Sequence, residues 1–188
     1  AQTALFKILD ALVHLMATIL SYTAEEVWDH LPGAKKRAES VHLTLFPEVE
    51  PQYLDKELEE RWELLLQVRG EVSKALEIFR QNKLIGNSLE ACVTLNAPEK
   101  LFSFLRKNEG QLKDLFIVSQ VELVSSPPAG AYRSPALENL SILITRAKGK
   151  KCERCWIYDP RTGESTAHPS VCPRCRDVLS TIRSEGKP

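Results

Sequence analysis

Four of the five cysteines in this 188-residue chain lie within KCERCWIYDPRTGESTAHPSVCPRC, residues 151–175, as two CxxC pairs separated by sixteen residues. Cys152, Cys155, Cys172 and Cys175 therefore follow C-x2-C-x16-C-x2-C, inside the spacing window of a tetrahedral zinc site. Each CxxC turns tightly enough to aim two thiolates at one cation. Asp159-Pro160 and Thr162-Gly163 supply the turns of a hairpin that brings the two pairs together. Zinc suits four thiolates because it imposes no geometry beyond the tetrahedron they form, and iron is the alternative metal. Disulfides need an oxidising compartment, and a thioredoxin-like redox pair needs a CxxC opening a helix within a βαβ pattern, which neither pair provides. Four thiolates close the shell, so the expected zinc is structural, and His168 is not needed as a ligand.

Energetics point the same way. From 148 onward the large apolar side chains are mainly Trp156, Ile157, Tyr158, Val171, Val178, Leu179 and Ile182. A segment of about 40 residues with so little to bury does not usually hold itself together. A structural zinc contributes an apparent ~10–16 kcal/mol. Metal is therefore expected to dictate the fold of the tail.

Charge is unevenly spread around this motif. Residues 146–188 carry 10 Lys+Arg against 5 Asp+Glu, whereas residues 1–145 carry 15 against 20, for a net charge of zero. A cationic surplus beside a metal knuckle is an electrostatic footprint for phosphates, and equally the pattern of an ordinary solvated face. Arg154 and Arg174 sit inside the two CxxC pairs and Trp156 follows the second ligand. An aromatic face beside guanidinium groups makes a platform for an unstacked base. Trp156 could equally cover the metal site, and one side chain can do both. Cys92, within a predicted strand, reads as a packing or surface thiol.

Helices and a small sheet must hold this tail. LFKILDALVHLMATIL places apolar residues at three- and four-residue steps, so the chain is expected to begin inside a helix, as a fragment would. In SYTAEEVWDHLPG, Thr23 and Glu26 have capping-box spacing and Pro32-Gly33 ends the helix. A loop follows (AKKRAESVHLTLFPEVEP), then a long helix from about Tyr53 to Gln81 whose apolar face holds Leu58, Trp62, Leu65, Val68, Val72, Ala75, Leu76 and Phe79. Packing these three helices antiparallel is the simplest arrangement. At Leu89–Leu95 the period switches from about 3.6 to 2, predicting a half-buried strand. A helix at about 99–108, strands LFIVSQVELV and LSILITRA, and a mobile SSPPAGAYRSP loop complete a small α+β unit. The predicted divisions are 1–82 (helical), 83–147 (α+β) and 148–188 (metal-binding).

No apolar run approaches the ~18 residues of a membrane span, and no secretory signal order opens the chain, so a cytoplasmic or organelle-matrix address is expected. No GxGxxG, P-loop or HExxH motif appears and no nucleophile–base pair can be named, so the chain is expected to hold no catalytic residue. The carboxylates Asp55, Glu57, Glu59, Glu60 and Glu63 read as a solvated helix face.

SYTAEEVWDHLPG, ESVHLTLFPE, KLIGNSLEACVTL, KCERCW and CPRC, in that order, make nearly the whole chain resemble the C-terminal part of isoleucyl-tRNA synthetases of bacterial and organellar type. The middle stretch is shared with related class I synthetases, and the cysteine-rich end favours isoleucine. The knuckle also resembles the zinc finger of formamidopyrimidine-DNA glycosylases. The resemblance implies a mainly helical bundle (a truncated anticodon-binding domain), a small α+β connector and a C-terminal four-cysteine zinc-finger hairpin. It implies Cys152, Cys155, Cys172 and Cys175 as ligands of one structural zinc and adds weight to Arg154 and Trp156, with Arg174, as tRNA contacts. Neither the HIGH-like and KMSKS-like motifs nor the catalytic and editing domains have a counterpart here, so ATP would bind only in that missing catalytic domain. The expected partners are tRNA(Ile) and those missing domains, in a monomer without membrane contact. A free-standing zinc-ribbon protein that binds DNA is the alternative.

Overall fold

The computed structural model describes residues 2–33 and 38–184. Ala34–Arg37, which open the loop expected after the second helix, lie outside the described residues. Contacts divide the chain into a unit ending at Lys56 and a second beginning at Glu57.

In the first unit, α1 (Gln2–Met16) and α2 (Ser21–His30) meet a 3-10 turn at Val41–Leu43. Val13, Ala17, Ala24, Trp28, Leu31 and Val41 form its core. The Trp28 indole N–H donates to the Ala38 carbonyl at 3.0 Å, and Glu25 accepts from the Ser40 hydroxyl and the Val41 N–H at 3.0 and 3.2 Å. The expected capping box does not form. Ala24 N–H already bonds the Leu20 carbonyl, so the helix starts at Ser21 and Thr23 and Glu26 lie inside its first turns. Only Val13 of α1 is buried, while Leu5, Ile8, Leu12 and Leu15 remain exposed.

The second unit is built on a four-stranded sheet of order β2-β1-β4-β3. Its strands are β1 (Ala91–Asn96), β2 (Gln120–Leu123), β3 (Tyr132–Arg133) and β4 (Ser141–Arg146). β1 runs parallel to β2 and antiparallel to β4, with Cys92 opposite both Gln120 and Thr145. β1 was expected to be half-buried, yet five of its six residues are buried, because it is an inner strand flanked on both sides. Between β1 and β2 run α4 (Glu99–Lys107) and α5 (Glu109–Phe116). Leu115 and Phe116 therefore end a helix, not the expected strand. Ile117 at φ +57° closes that helix, and β2 starts at Gln120.

The long helix α3 (Lys56–Gln81) packs differently from the expected three-helix arrangement. Its Leu65, Val68, Val72, Ala75 and Leu76 share one core with Val93, Leu95, Ile142 and Ile144 of the sheet. A helical stripe specifies that a face is buried but not against what, and here the sheet supplies the partner. Leu58 and Trp62, at the N-terminal end of the stripe, stay 40% and 38% exposed. The carboxylates 55–63 are exposed, as a solvated face requires.

The SSPPAGAYRSP segment, expected as a mobile loop, contributes Tyr132 to a hydrogen-bonded cluster. Tyr132 Oη donates to Glu71 Oε2 at 3.0 Å, and Lys74 Nζ lies 2.6 Å from Glu71 Oε1. Burial alone would push the Glu71 carboxyl up, but hydrogen bonds from Lys74, Ser134 and Tyr132 outweigh it and hold it below its ordinary value.

Candidate metal centre

After β4 the chain forms a two-stranded antiparallel hairpin, β5 (Lys150–Lys151) with β6 (Tyr158–Asp159). Gly149 lies at φ +99°, and a Cβ there would come within 2.3 Å of the Asp159 carbonyl carbon and the Pro160 nitrogen. Only glycine fits so close an approach of two backbones.

This hairpin presents the first CxxC. Cys152 N–H donates to the Ile157 carbonyl at 2.9 Å, and Trp156 N–H donates back to the Cys152 carbonyl at 2.8 Å. Trp156 closes the turn at φ +68°, an unfavourable conformation for a bulky residue. The second CxxC is built otherwise. Cys172 precedes Pro173, the first residue of α6 (Pro173–Ser184), and Arg176 N–H reaches the Cys172 carbonyl at 3.0 Å. Proline suits that first helical position because no intrahelical acceptor awaits its missing N–H. The second pair thus opens a helix, but after an antiparallel hairpin and not in a βαβ unit. A turn on one side and a helix start on the other, not one hairpin, present the four sulfurs.

One sulfur atom from each of Cys152, Cys155, Cys172 and Cys175 lies within 4.8 Å of the other three. Cys155 and Cys172 sulfurs are 3.7 Å apart, far beyond the ~2.05 Å of a disulfide. A tetrahedron with Zn–S bonds of ~2.3 Å spaces its sulfurs ~3.8 Å apart, so these donors fit one zinc ion. Cys152, Cys172 and Cys175 are buried, and Cys155, Ile157 and Val171 pack against them. Among the described residues His168 does not join the cluster. Cys92 is buried in β1, where desolvation raises its pKa.

Cys152, Cys155 and Cys172 are not electrostatically equivalent. Burial opposes ionisation of Cys152, yet N–H groups of Cys155, Cys172 and Arg154 aimed at its sulfur win and bring its pKa down to about 6. The Cys172 N–H is 3.3 Å from that sulfur. Cys155 is pushed up to about 12 by burial and by hydrogen bonding to the neighbouring sulfurs, and burial raises Cys172 as well. The cluster therefore favours the Cys152 thiolate, whereas Cys155 and Cys172 would need a cation to be held as thiolates.

Around the cluster, Trp156 is 57% exposed and the Lys151 ammonium sits 5.2 Å from its ring centroid. Arg154 Nη1 donates to Cys175 Sγ at 3.8 Å. Arg154 and Arg174 are both exposed. Neither Lys151 over the indole nor the arginine–sulfur contact has a sequence spacing that announces it. Chemically, the arrangement offers four soft donors to one metal and, beside them, an exposed indole with one cation, Lys151, over its ring.

Residues 1–95 match the family described as the anticodon-binding domain of tRNA ligase, and residues 149–178 match one described as a zinc finger found in FPG and IleRS. A protein named isoleucine–tRNA ligase from Geobacter sulfurreducens is 48% identical over 178 residues, covering 93% of this chain and 19% of that relative. Its namesake from Desulforudis audaxviator is 47% identical over 184 residues (97% and 20%), and that from Carboxydothermus hydrogenoformans 45% over 184 (98% and 20%). The chain spans about one fifth of the length of these curated relatives. Among the described residues no helix is long and apolar enough to cross a membrane. With half of its length matched by that one domain, the chain belongs to the family of tRNA-ligase anticodon-binding domains.

Proposed function

We propose that this chain is the C-terminal part of an isoleucine–tRNA ligase, a class I aminoacyl-tRNA synthetase, and supplies the grip on tRNA(Ile) from the anticodon side. Residues 1–82 are its anticodon-binding segment, 83–147 a connector and 148–188 a metal knuckle. The activity that joins isoleucine to tRNA through an aminoacyl-adenylate, with its ATP site, belongs to catalytic sequence beyond this chain. The ligase is proposed to act as a cytoplasmic monomer.

The observation that carries this reading is the convergence of four thiols at one zinc-sized centre beside an exposed tryptophan. In the proposal Cys152, Cys155, Cys172 and Cys175 hold a structural zinc, which cross-links the hairpin to the start of α6 when bound. Trp156 offers its face to an unstacked base. Arg174 and Arg154 reach phosphates or base edges. An arginine has five N–H donors, so the one Arg154 gives to Cys175 leaves others for RNA. A free-standing DNA-binding zinc ribbon is not favoured, because half the chain matches a tRNA-ligase domain that such a protein does not need.

Metal analysis and binding titrations test the proposal together. The purified chain is expected to hold one zinc and to bind tRNA(Ile) ahead of duplex DNA at matched salt. Trp156→Ala is expected to leave the zinc in place and weaken tRNA binding by about 5- to 150-fold, the range of one lost stacking contact. Equal affinity for tRNA and DNA, or a Trp156→Ala variant that binds like wild type, refutes this assignment.

A further inference from the structure

We propose that Ser119 and Gln120 are positioning residues that lock the metal knuckle to the edge of the sheet and so aim Trp156 and its basic neighbours; the RNA-facing half of this inference rests on the proposed function above.

β2 is an edge strand, and Gln120 is its first residue. An edge strand leaves backbone donors and acceptors unpaired, and proteins cover them. Here the contact to the hairpin is made by side chains, which pair with the hairpin's backbone and not with that of β2 itself. The Gln120 amide meets both backbone groups of Lys148, with Lys148 N–H donating to Oε1 at 2.9 Å and Nε2 donating to the Lys148 carbonyl at 2.8 Å. That is the pairing a neighbouring strand would supply. Nε2 also approaches the Tyr158 carbonyl at 3.5 Å. From the adjacent residue, Ser119 Oγ accepts the Tyr158 N–H at 2.7 Å and donates to the Leu89 carbonyl.

Two adjacent side chains thus hold both arms of the knuckle hairpin, at Lys148 just before β5 and at Tyr158 in β6. Lys148 lies four residues before Cys152 and Tyr158 three residues after Cys155. The Cys152–Ile157 bond closes the loop between these arms at 2.9 Å. Any rotation of the first CxxC and Trp156 relative to the sheet must break bonds to Ser119 or Gln120. Ser119 is itself buried, at 8% exposure, and its own N–H bonds the Ala91 carbonyl at 3.3 Å, so the anchor is part of the sheet. The thiol cluster needs none of these bonds, since the metal draws its four ligands from within 152–175. The clamp fixes where the knuckle points, and the metal fixes its internal shape.

The test uses the zinc-loaded chain with Gln120→Ala and Gln120→Glu. The glutamate retains an acceptor for Lys148 N–H and places its second oxygen against two carbonyls. In both variants zinc content and the slow exchange of β1 and β4 amides are expected to stay as in wild type. Exchange of the Lys148 amide should rise about tenfold or more in Gln120→Ala, which removes its acceptor, and in both variants the Tyr158 amide, still facing Ser119 Oγ, should exchange faster as the hairpin loosens. Residual dipolar couplings of 150–182 should no longer fit one alignment tensor with those of the sheet. Affinity for tRNA(Ile) should fall about tenfold, and by much less in a Trp156→Ala background, since a residue acting through Trp156 loses its effect when Trp156 is gone.

Couplings and exchange that match wild type overturn the clamp. A loosened clamp with unchanged tRNA affinity, or equal losses in both backgrounds, overturns the positioning role. Loss of zinc from both variants overturns it too, by making Gln120 a requirement of folding. If the wild-type chain binds no tRNA, the proposed function fails and the positioning role with it, while couplings and exchange still decide whether the clamp exists.

Discussion

Gly149→Ala should weaken zinc binding by about 100- to 4,000-fold, and the size follows from the hairpin's geometry. An alanine at φ +99° costs roughly 1–3 kcal/mol as backbone strain. Its Cβ would also sit 2.3 Å from the Asp159 carbonyl carbon and the Pro160 nitrogen, backbone atoms that cannot rotate away. The two arms must separate, which loosens the pairing of Lys150 with Asp159 and Lys151 with Tyr158. Losing about two backbone hydrogen bonds at ~1 kcal/mol each brings the total to ~3–5 kcal/mol. In a segment that folds with its metal, that destabilisation is read directly as lost metal affinity, at 1.4 kcal/mol per factor of ten. Competition against a chromophoric chelator at fixed pH measures it. Gly70→Ala is the control: Gly70 lies inside α3 with nothing within 4 Å of the added Cβ, so alanine there should be neutral or stabilising by up to ~1 kcal/mol. A Gly149→Ala protein that holds zinc within threefold of wild type would show that the hairpin does not position the ligands.

Three further outcomes are expected. Cys172→Ser should abolish stoichiometric zinc and expose the amides of α6 to exchange, while the sheet core around Val93 and Ile142 keeps its protection; a variant retaining one zinc per chain contradicts the ligand set. Glu71 has a lowered carboxyl pKa, so its contribution is complete above about pH 4.5 and is lost as pH falls below that value. Gln at this position should therefore flatten the acid limb of the stability curve, and acid limbs that superimpose after a constant offset reject the assignment. Arg174→Glu should weaken tRNA binding and reduce the salt slope by about one or more if the guanidinium meets a phosphate, whereas an unchanged slope removes Arg174 from the interface.

What could be read from the residues, and what could not, follows the range of each interaction. The four cysteines were legible because metal ligation constrains residue type and local spacing together. β4, the core of α3 and the solvated carboxylates of 55–63 were legible because period and polarity are local properties. The failures are also physical. Thr23 and Glu26 have capping-box spacing, but the Leu20 carbonyl had already begun the helix, and a side-chain cap is too weak to move a backbone start. Leu115 and Phe116 are apolar enough for a strand, yet Ile117 in the left-handed region shows that the helix takes them first. The stripe of α3 was recognised and its partner was not, because amphipathicity names a face without naming the surface that covers it.

The same distinction separates the metal centre from its orientation. Sulfur donors held by one ion need only short local turns, so the sequence of 149–175, Gly149 included, is enough to bring them together. Direction relative to the sheet depends on Ser119 and Gln120, far from the cysteines in sequence and carrying no pattern of their own. A primary amide that mimics a strand's hydrogen bonding leaves no periodic trace, and a buried serine looks like any other. For a structural metal site the ligands decide whether the element folds, but what it can touch is decided by the contacts that hold it in place. Changing Gln120 should therefore alter RNA affinity without altering zinc content, and changing Gly149 should alter both.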